Sequence, residues 1–350
     1  MFTSQGRDRV AVFLNTEQSR TDAFAIELRR RDWLIKEFHC GQWKEAFTGA
    51  TKFVRAIWRC QFVLVGSGFP WQIPWLLLAY LLGRTVVMDY PVDVTLKPFP
   101  EVWHWKQMIG FFSRRADIFL TLSSREYVID KFHLNPARVL FVENCPDVQR
   151  IEESRSVAPR VNLPEEAIVI GYSGVAWSHQ IDAFVPILKA IQTRLPNVLW
   201  LVISDPANPM IIRLQQKAAE LGISNSIRFL PVIKPYEEFI ATINQCHLWI
   251  SHMDNRSLLG RHELRIELLE MGILGKPVAA APTPALTQHG FIDGENIIFV
   301  DPADPEQSAA HIVEYLKNQS ALSRISSNLS RHVRERFSLP NSVDRLLQRV

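Results

Sequence analysis

Short runs of apolar, largely β-branched residues recur along this chain, and most are followed by a longer stretch with apolar residues at helical spacing. That alternation constrains the fold more than any other feature. A run without polar alternation suits a strand buried on both faces, and strand–helix–strand order makes neighbouring strands parallel. In the first half the runs are Val10–Leu14, Leu34–Phe38, Phe62–Val65, Thr85–Met88, Asp117–Leu122 and Val139–Val142. Ile168–Tyr172 restarts the pattern, and Leu199–Ile203, Ile227–Phe229, Leu248–Ser251 and a short stretch ending at Ala280 continue it. The expectation is an α/β protein of two doubly wound domains facing each other across a cleft. Residues 148–166 are polar and carry two prolines, which suits a linker, so a hinge is expected near 145–166.

A chain of 350 residues with 47% hydrophobic and 21% charged content can bury a core in each of two domains. Cys40, Cys60, Cys145 and Cys246 are far apart in sequence. Their spacing suits neither a zinc site nor a disulfide framework, which points to a reducing compartment. The first ten residues contain no apolar signal core, and the apolar run Ile73–Leu82 is shorter than the roughly 18 residues of a membrane span. A cytoplasmic location is expected. The first 150 residues carry five more cations than anions, and the remainder two more anions than cations. With no basic stripe beside a stacking platform, nucleic acid is not an expected partner.

Parallel sheets bind ligands at the carboxyl ends of their strands. In the first domain those positions are Asn15-Thr16, Gly66-Ser67-Gly68, Asp89, Asp93 and Ser123-Ser124. Gly66, Ser67 and Gly68 lack the third glycine of a dinucleotide fingerprint, so they read as a plain turn or a close backbone approach to a cleft. Asp89 either caps its loop or meets an acceptor hydroxyl. Pro70–Leu82 reads as a helix packed on the sheet. Val102–Arg115 mixes tryptophans with Lys106, Arg114 and Arg115, which fits an interfacial helix on an anionic membrane or a buried helix with a basic end.

In the second domain, Gly260–Val278 draws the eye. Leu264, Leu268, Leu269 and Ile273 recur at helical spacing, with Glu263 placed to favour the helix N-terminus. Glu270 lies among the apolar residues, where a carboxylate needs a partner: ribose hydroxyls, or a brace within its own helix. Gly275 ends the helix, and a short strand follows at once. After the strand Ile168–Tyr172, the small residues Ser173-Gly174 would let backbone N–H groups approach a diphosphate. Asp301-Pro302-Ala303-Asp304 reads as a loop that starts a helix.

Glu270 followed by Gly275-Lys276-Pro277-Val278 resembles the signature of nucleotide-sugar glycosyltransferases of the GT-B fold, family 4 in particular. The resemblance implies two Rossmann-like domains: residues 1–150 binding acceptor, 151–335 binding nucleotide-sugar, and a C-terminal helix in 336–350 packing back on the first. It implies that Glu270 holds the donor ribose. The family has a second Glu at the position of His262, so His262 and its neighbour Glu263 become the donor-sugar and catalytic candidates. His252 is a further sugar candidate. Ser173 and Gly174 would meet the diphosphate, and Val232 and Ile233 the base. Arg256, Arg261 and Arg265 replace the loop cations that the family carries after the first strand. Gly66, Ser67, Gly68 and Asp89 would lie on the acceptor side. The implied activity is retaining transfer to an acceptor hydroxyl, with no cofactor and no metal beyond the nucleotide-diphosphate sugar. The implied acceptors are saccharide or lipid-linked, as in cell-surface polysaccharide or glycolipid synthesis, with peripheral membrane contact. A sugar-nucleotide epimerase of the same fold and a catalytically silent sugar-nucleotide-binding protein are the alternatives.

Overall fold

The computed structural model describes residues 9–15, 19–39, 50–66, 73–90, 114–122, 125–173, 178–251 and 258–350. By its contacts the chain divides into two compact units: Met1–Cys145 with Ser338–Val350, and Pro146–Phe337. Each unit contains a six-stranded parallel sheet, the architecture expected from the alternating runs.

In the first unit, β1 (Val10–Asn15), β2 (Leu34–His39), β3 (Phe62–Gly66), β4 (Thr85–Tyr90), β5 (Ile118–Thr121) and β6 (Val139–Phe141) lie in the order β2-β1-β3-β4-β5-β6. Its helices include α1 (Ser19–Arg30), α2 (Ala50–Arg59), α3 (Ile73–Leu81) and α4 (Arg125–Phe132). Every residue of β3 is buried, and alternate side chains serve opposite faces. Val63 and Val65 meet Phe53 of α2 and Trp75 of α3, whose rings lie 4.5 Å apart. Phe62 and Leu64 meet Phe24 and Leu28 of α1 on the other side. The helix expected in Pro70–Leu82 is α3, with Trp75, Leu76 and Ala79 buried. Val102–Arg115 lies outside the described residues except for Arg114 and Arg115.

The second unit has β7 (Ile168–Ser173), β8 (Val198–Ile203), β9 (Ile227–Leu230), β10 (Leu248–Ser251), β11 (Val278–Ala280) and β12 (Ile298–Phe299), in the order β12-β11-β10-β7-β8-β9. Its helices are α5 (Val148–Ser154), α6 (Ser178–Arg194), α7 (Pro209–Glu220), α8 (Tyr236–Ile243), α9 (Leu258–His262), α10 (Ile266–Leu274), α11 (Pro284–Gln288), α12 (Pro305–Lys317) and α13 (Gln319–Arg336). Ile170, Trp200 and Ile250 pack with α6, α7 and α12, while Val169, Leu201 and Trp249 pack with α8, α10 and α13. Asp304 caps α12, as the Asp301–Asp304 loop suggests. In both sheets the strand order reverses beside the first strand, between β1 and β3 and between β7 and β10. Such a reversal opens a crevice at the carboxyl edge, because the flanking connections leave in opposite directions. Past Phe337, α14 (Leu339–Leu347) buries Leu339, Val343 and Leu346 beside Phe13 and Leu28 of the first unit. Arg345 and Glu143 pair there at 2.8 Å.

Two local expectations are corrected. The polar stretch 148–166 begins with a helix, α5, whose Ile151 is fully buried. Its later residues are pinned to α8 and the turn after it: Arg160 N donates to Thr242 Oγ1 at 2.9 Å, and Gln245 Nε2 to Val161 O at 2.9 Å. Its polar composition thus reflects hydrogen bonding to a neighbouring surface as well as solvation. The helix expected across Gly260–Leu274 is two helices, α9 and α10, separated at Glu263–Arg265. Leu264 stays buried at the break, so the apolar spacing runs through it unbroken.

Gly272 sits where α10 crosses α13, and a Cβ there would lie 2.6 Å from Val333 Cγ2. Alanine is favoured over glycine in a helix by about 1 kcal/mol, but overpacking costs about 1–3 kcal/mol, and valine χ1 is held by its own helix. Gly272→Ala should therefore lower stability in urea titration, and the loss should disappear in a Val333→Ala background. An unchanged loss would show that the Val333 contact is not its cause.

Candidate functional site

The carboxyl edge of the second sheet gathers the polar groups. β7 ends at Ser173 and β10 at Ser251, two buried serines flanking the reversal point. β9 ends at Leu230, and the loop beyond it delivers Tyr236 to the first turn of α8. After β10 the chain forms α9 and re-enters at α10, with Arg265 extended at its N-cap. The carboxylate in the first turn of α10 is Glu267 rather than Glu263, and its pairing with Arg265 holds that guanidinium beside the helix start. Gly275 closes α10 with φ 69°, a left-handed conformation that glycine adopts without strain.

Glu270 is 5% exposed. The Tyr236 hydroxyl donates to its Oε1 at 2.7 Å, and its other oxygen has no protein partner among the described residues. Behind Tyr236, the Arg150 guanidinium of α5 lies 4.6 Å from the ring centre and donates through Nε to Glu237 at 2.7 Å. Burial pushes the Glu270 carboxyl up to about 7, with Glu267 adding to the rise, while Tyr236, Arg265 and Arg150 oppose it. Burial and the neighbouring Glu270 push the Tyr236 phenol up as well, so it remains a hydrogen-bond donor. Burial also raises Tyr172, against the pull of Arg265, which places that cation near the end of β7. The result is a carboxyl that titrates near neutrality, flanked by two guanidinium groups and presenting an oxygen to hydroxyl donors.

Glu270, Arg265 and Ser173 lie on this edge, with Glu263 in electrostatic contact with Arg265. His262 ends α9, where burial and Arg261 hold its imidazole below its ordinary range; Arg261 is exposed. Val232 and Ile233 diverge: Val232 is 58% exposed, whereas Ile233 is buried in the core. In the first unit Gly66 is paired with Asp89, which lies inside β4 rather than in a loop after it and is fully buried. The strand reaches two residues further than its apolar run because the ladder to β3 and β5 continues through Asp89. Gly174, Arg256, Ser67, Gly68, Thr16, Asp93, Ser123, Ser124 and His252 lie outside the described residues. Sequence reasoning missed Tyr236, Arg150 and Glu267. Tyr236 follows a helix-starting proline, a local signal for its position but not for its contact, and Arg150 stood in the presumed linker. Among the described residues no three His, Cys, Asp or Glu side chains converge as metal ligands would.

The raised Glu270 carboxyl ties stability to pH. In the unfolded chain it titrates near 4.5, in the folded protein near 7, so the folded form binds the extra proton between those values. This contribution is full below pH 4.5 and is lost as pH rises through 7. Glu270→Gln keeps an acceptor for Tyr236 without the charge. It should match the wild type near pH 5 and exceed it near pH 8 by roughly 2–3 kcal/mol in urea unfolding, at 1.36 kcal/mol per pK unit. Parallel pH profiles would refute the buried-carboxyl account.

Comparisons with known proteins concern the second unit and the fold. Residues 167–318, most of the second unit, match the family model described as Glycosyl transferases group 1. A D-inositol 3-phosphate glycosyltransferase of Stackebrandtia nassauensis is 23% identical over 291 residues, covering 79% of this chain but only 62% of that relative's length. Anabaena HepE, solved with UDP and glucose, matches 97% of this chain and 98% of its own at a TM-score of 0.68 and 16% identity. A putative UDP-N-acetylglucosamine 2-epimerase of Listeria monocytogenes matches 98% of this chain and 95% of its own, with a TM-score of 0.58 and 13% identity. The chain has the GT-B fold of these solved structures, and residues 167–318 of its second unit match the model of the group 1 glycosyl transferases.

Proposed function

We propose that the protein transfers a hexosyl group from a nucleotide-diphosphate sugar to an acceptor hydroxyl, without a metal and with retention at the anomeric carbon. One observation carries the reading: Glu270 is buried on α10 with one oxygen on Tyr236 and the other without a protein partner among the described residues. In this reading the ribose hydroxyls donate to that second oxygen. Glu263 or His262 faces the donor sugar, and Ser173 and Gly174 receive the diphosphate. Arg256, Arg261 and Arg265 neutralise the diphosphate as it leaves, and the backbone at Val232 and Ile233 meets the base. Gly66, Ser67, Gly68 and Asp89 serve the acceptor. Catalysis then rests on orientation and on stabilising the leaving diphosphate. The HepE structures with UDP, with UDP and glucose, and with UDP-glucose support trying a uridine donor first.

An epimerase reading keeps one supporting observation, the shared fold with the Listeria protein. The two readings separate when a nucleotide-sugar is supplied with no acceptor: an epimerase interconverts its sugar, and a transferase does not.

The proposed location is cytoplasmic, peripheral on an anionic membrane face and serving saccharide or lipid-linked acceptors. Among the described residues no helix is long and apolar enough to cross a membrane. Support comes from α2 and α3. Trp58 is 63% exposed and Leu81 85%, with Val54 and Leu77 also outward. Lys52, Arg55 and Arg59 lie on the same α2 without carboxylate partners among the described residues, and neither helix contains an acid. Arg84 Nη2 donates to Trp58 O at 2.5 Å, which ties together the ends of the two helices.

Two measurements follow from these readings. After a screen over UDP, GDP, ADP, CMP and dTDP identifies the base, Glu270→Ala should weaken that nucleotide about ten- to a hundredfold, the worth of roughly 1.5–3 kcal/mol for a hydrogen bond to a charged group. Free nucleotide and nucleotide-sugar should lose equally, while Glu263 and His262 variants should spare free nucleotide and slow transfer. Unchanged calorimetric affinity in folded Glu270→Ala would remove the ribose assignment. In co-sedimentation, anionic vesicles should bind the wild type and release it with salt, at about 1 kcal/mol per basic residue. Trp58→Glu with Leu81→Glu should abolish the bound fraction. Equal recovery on neutral vesicles would argue against the surface.

A further inference from the structure

The carboxyl edge uses Glu270, but Gly275 and Lys276 of the same signature lie beyond the far end of α10 and have no role there. Parallel strands start at one edge and end at the other, and Lys276 lies two residues before β11, so it lies at the amino edge. At about 3.3 Å per residue, the six residues of β7 separate the two edges by roughly 20 Å.

We propose that this amino edge holds a second ligand site, in which Lys276 receives the phosphate or carboxylate group of a small molecule. The site is independent of the donor reading above. Its frame is a cavity of about 530 Å³ bordered by the starts of β7 and β10, the end of α10 and the first half of α13, within the range of small-molecule pockets. Lys276 lines it, half-buried, with no hydrogen bond or ion pair from its ammonium to any described residue. The ionisable groups that act on it are the Cys246 thiol, which full burial keeps protonated and neutral, and the Arg155 guanidinium, itself a cation engaged with Ile273 O at 2.8 Å. A cation removed from water and left without a counter-charge is unfavourable, and an anion entering the cavity would reverse that.

The remaining walls supply donors. His247 Nδ1 accepts from Val169 N at 3.1 Å, so the neutral ring carries its proton on Nε2, a donor. Burial and Lys276 both hold that ring below its ordinary range, which keeps it neutral. Gln319 and Ser323, in the first turns of α13, and Ser327 one turn later add an amide and two hydroxyls, near the positive end of that helix. The acids on the border, Glu165 and Glu166, are exposed, so water screens them more than it screens Lys276.

Lysine-specific acylation tests the proposal on the wild-type protein. A sulfonated N-hydroxysuccinimide acetate would be reacted at fixed ionic strength in chloride or in inorganic phosphate, and modification read peptide by peptide by mass spectrometry. Phosphate should slow acylation of Lys276 severalfold and saturably, and leave the exposed Lys52 unchanged. A phosphate bound at the donor edge would not shield Lys276 across roughly 20 Å. Filling the cavity with Ser323→Leu and Ser327→Leu should abolish the protection. Equal acylation of Lys276 in the two salts, parallel slowing of Lys52, or full protection in the filled variant would each overturn the assignment.

Discussion

A carboxylate cannot leave water alone, and much of the second unit is arranged around the one at position 270. α10 carries Glu270 among Leu268, Leu269, Met271 and Ile273, all buried, so the helix cannot turn it outward without exposing the core. The tyrosine that answers it comes from α8, and the guanidinium behind that tyrosine comes from α5. Three segments far apart in sequence are thus held in register by one charged group. Buried polar groups of this kind contribute less to net stability than to selecting one arrangement over others, because each misplacement leaves an unpaired atom. The same interaction leaves an acceptor oxygen uncommitted among the described residues. Structure and proposed chemistry meet at that atom.

The parallel sheets and the position of Glu270 were legible in the sequence because each is written locally. A strand buried on both faces needs only its own apolar run, and Gly275 marks a helix end through its own backbone freedom. What was not legible depends on neighbours distant in the chain. Arg150 and Ile151 looked like linker because their partners, on α8 and in the core, lie outside the local pattern. The break at Glu263–Arg265 was hidden because Leu264 keeps to the apolar side of it. Asp89 looked like a turn residue because aspartate prefers turns, yet strand pairing carried β4 through it. Lys276 belongs to the same motif as Glu270, yet it lines a cavity at the opposite edge of the sheet, which no local pattern marks.

Both sheets obey one topological rule, and its use differs between them. At the second reversal point the flanking strands end in Ser173 and Ser251, with Arg265 and Glu267 at the start of α10 acting on Tyr172 beside them. At the first, Gly66 and Asp89 stand side by side on β3 and β4. Small side chains at Ser173, Ser251 and Gly66 would let backbone come close to a ligand in either crevice. The amino edges carry no such requirement, which makes a polar cavity around an uncompensated ammonium at one of them the more informative.

The position of α14 has a consequence for biosynthesis. Residues 338–350 supply Leu339, Val343 and Leu346 to a core otherwise built from the first 145 residues, while the second unit is one uninterrupted segment. On the ribosome, domains usually complete themselves from the N-terminus onward. Here the later segment can close its core while the earlier one still lacks a wall. The nascent first unit therefore presents Phe13, Phe24 and Leu28 without their final cover throughout translation of its successor, a period in which chaperones have their clearest purchase on this chain.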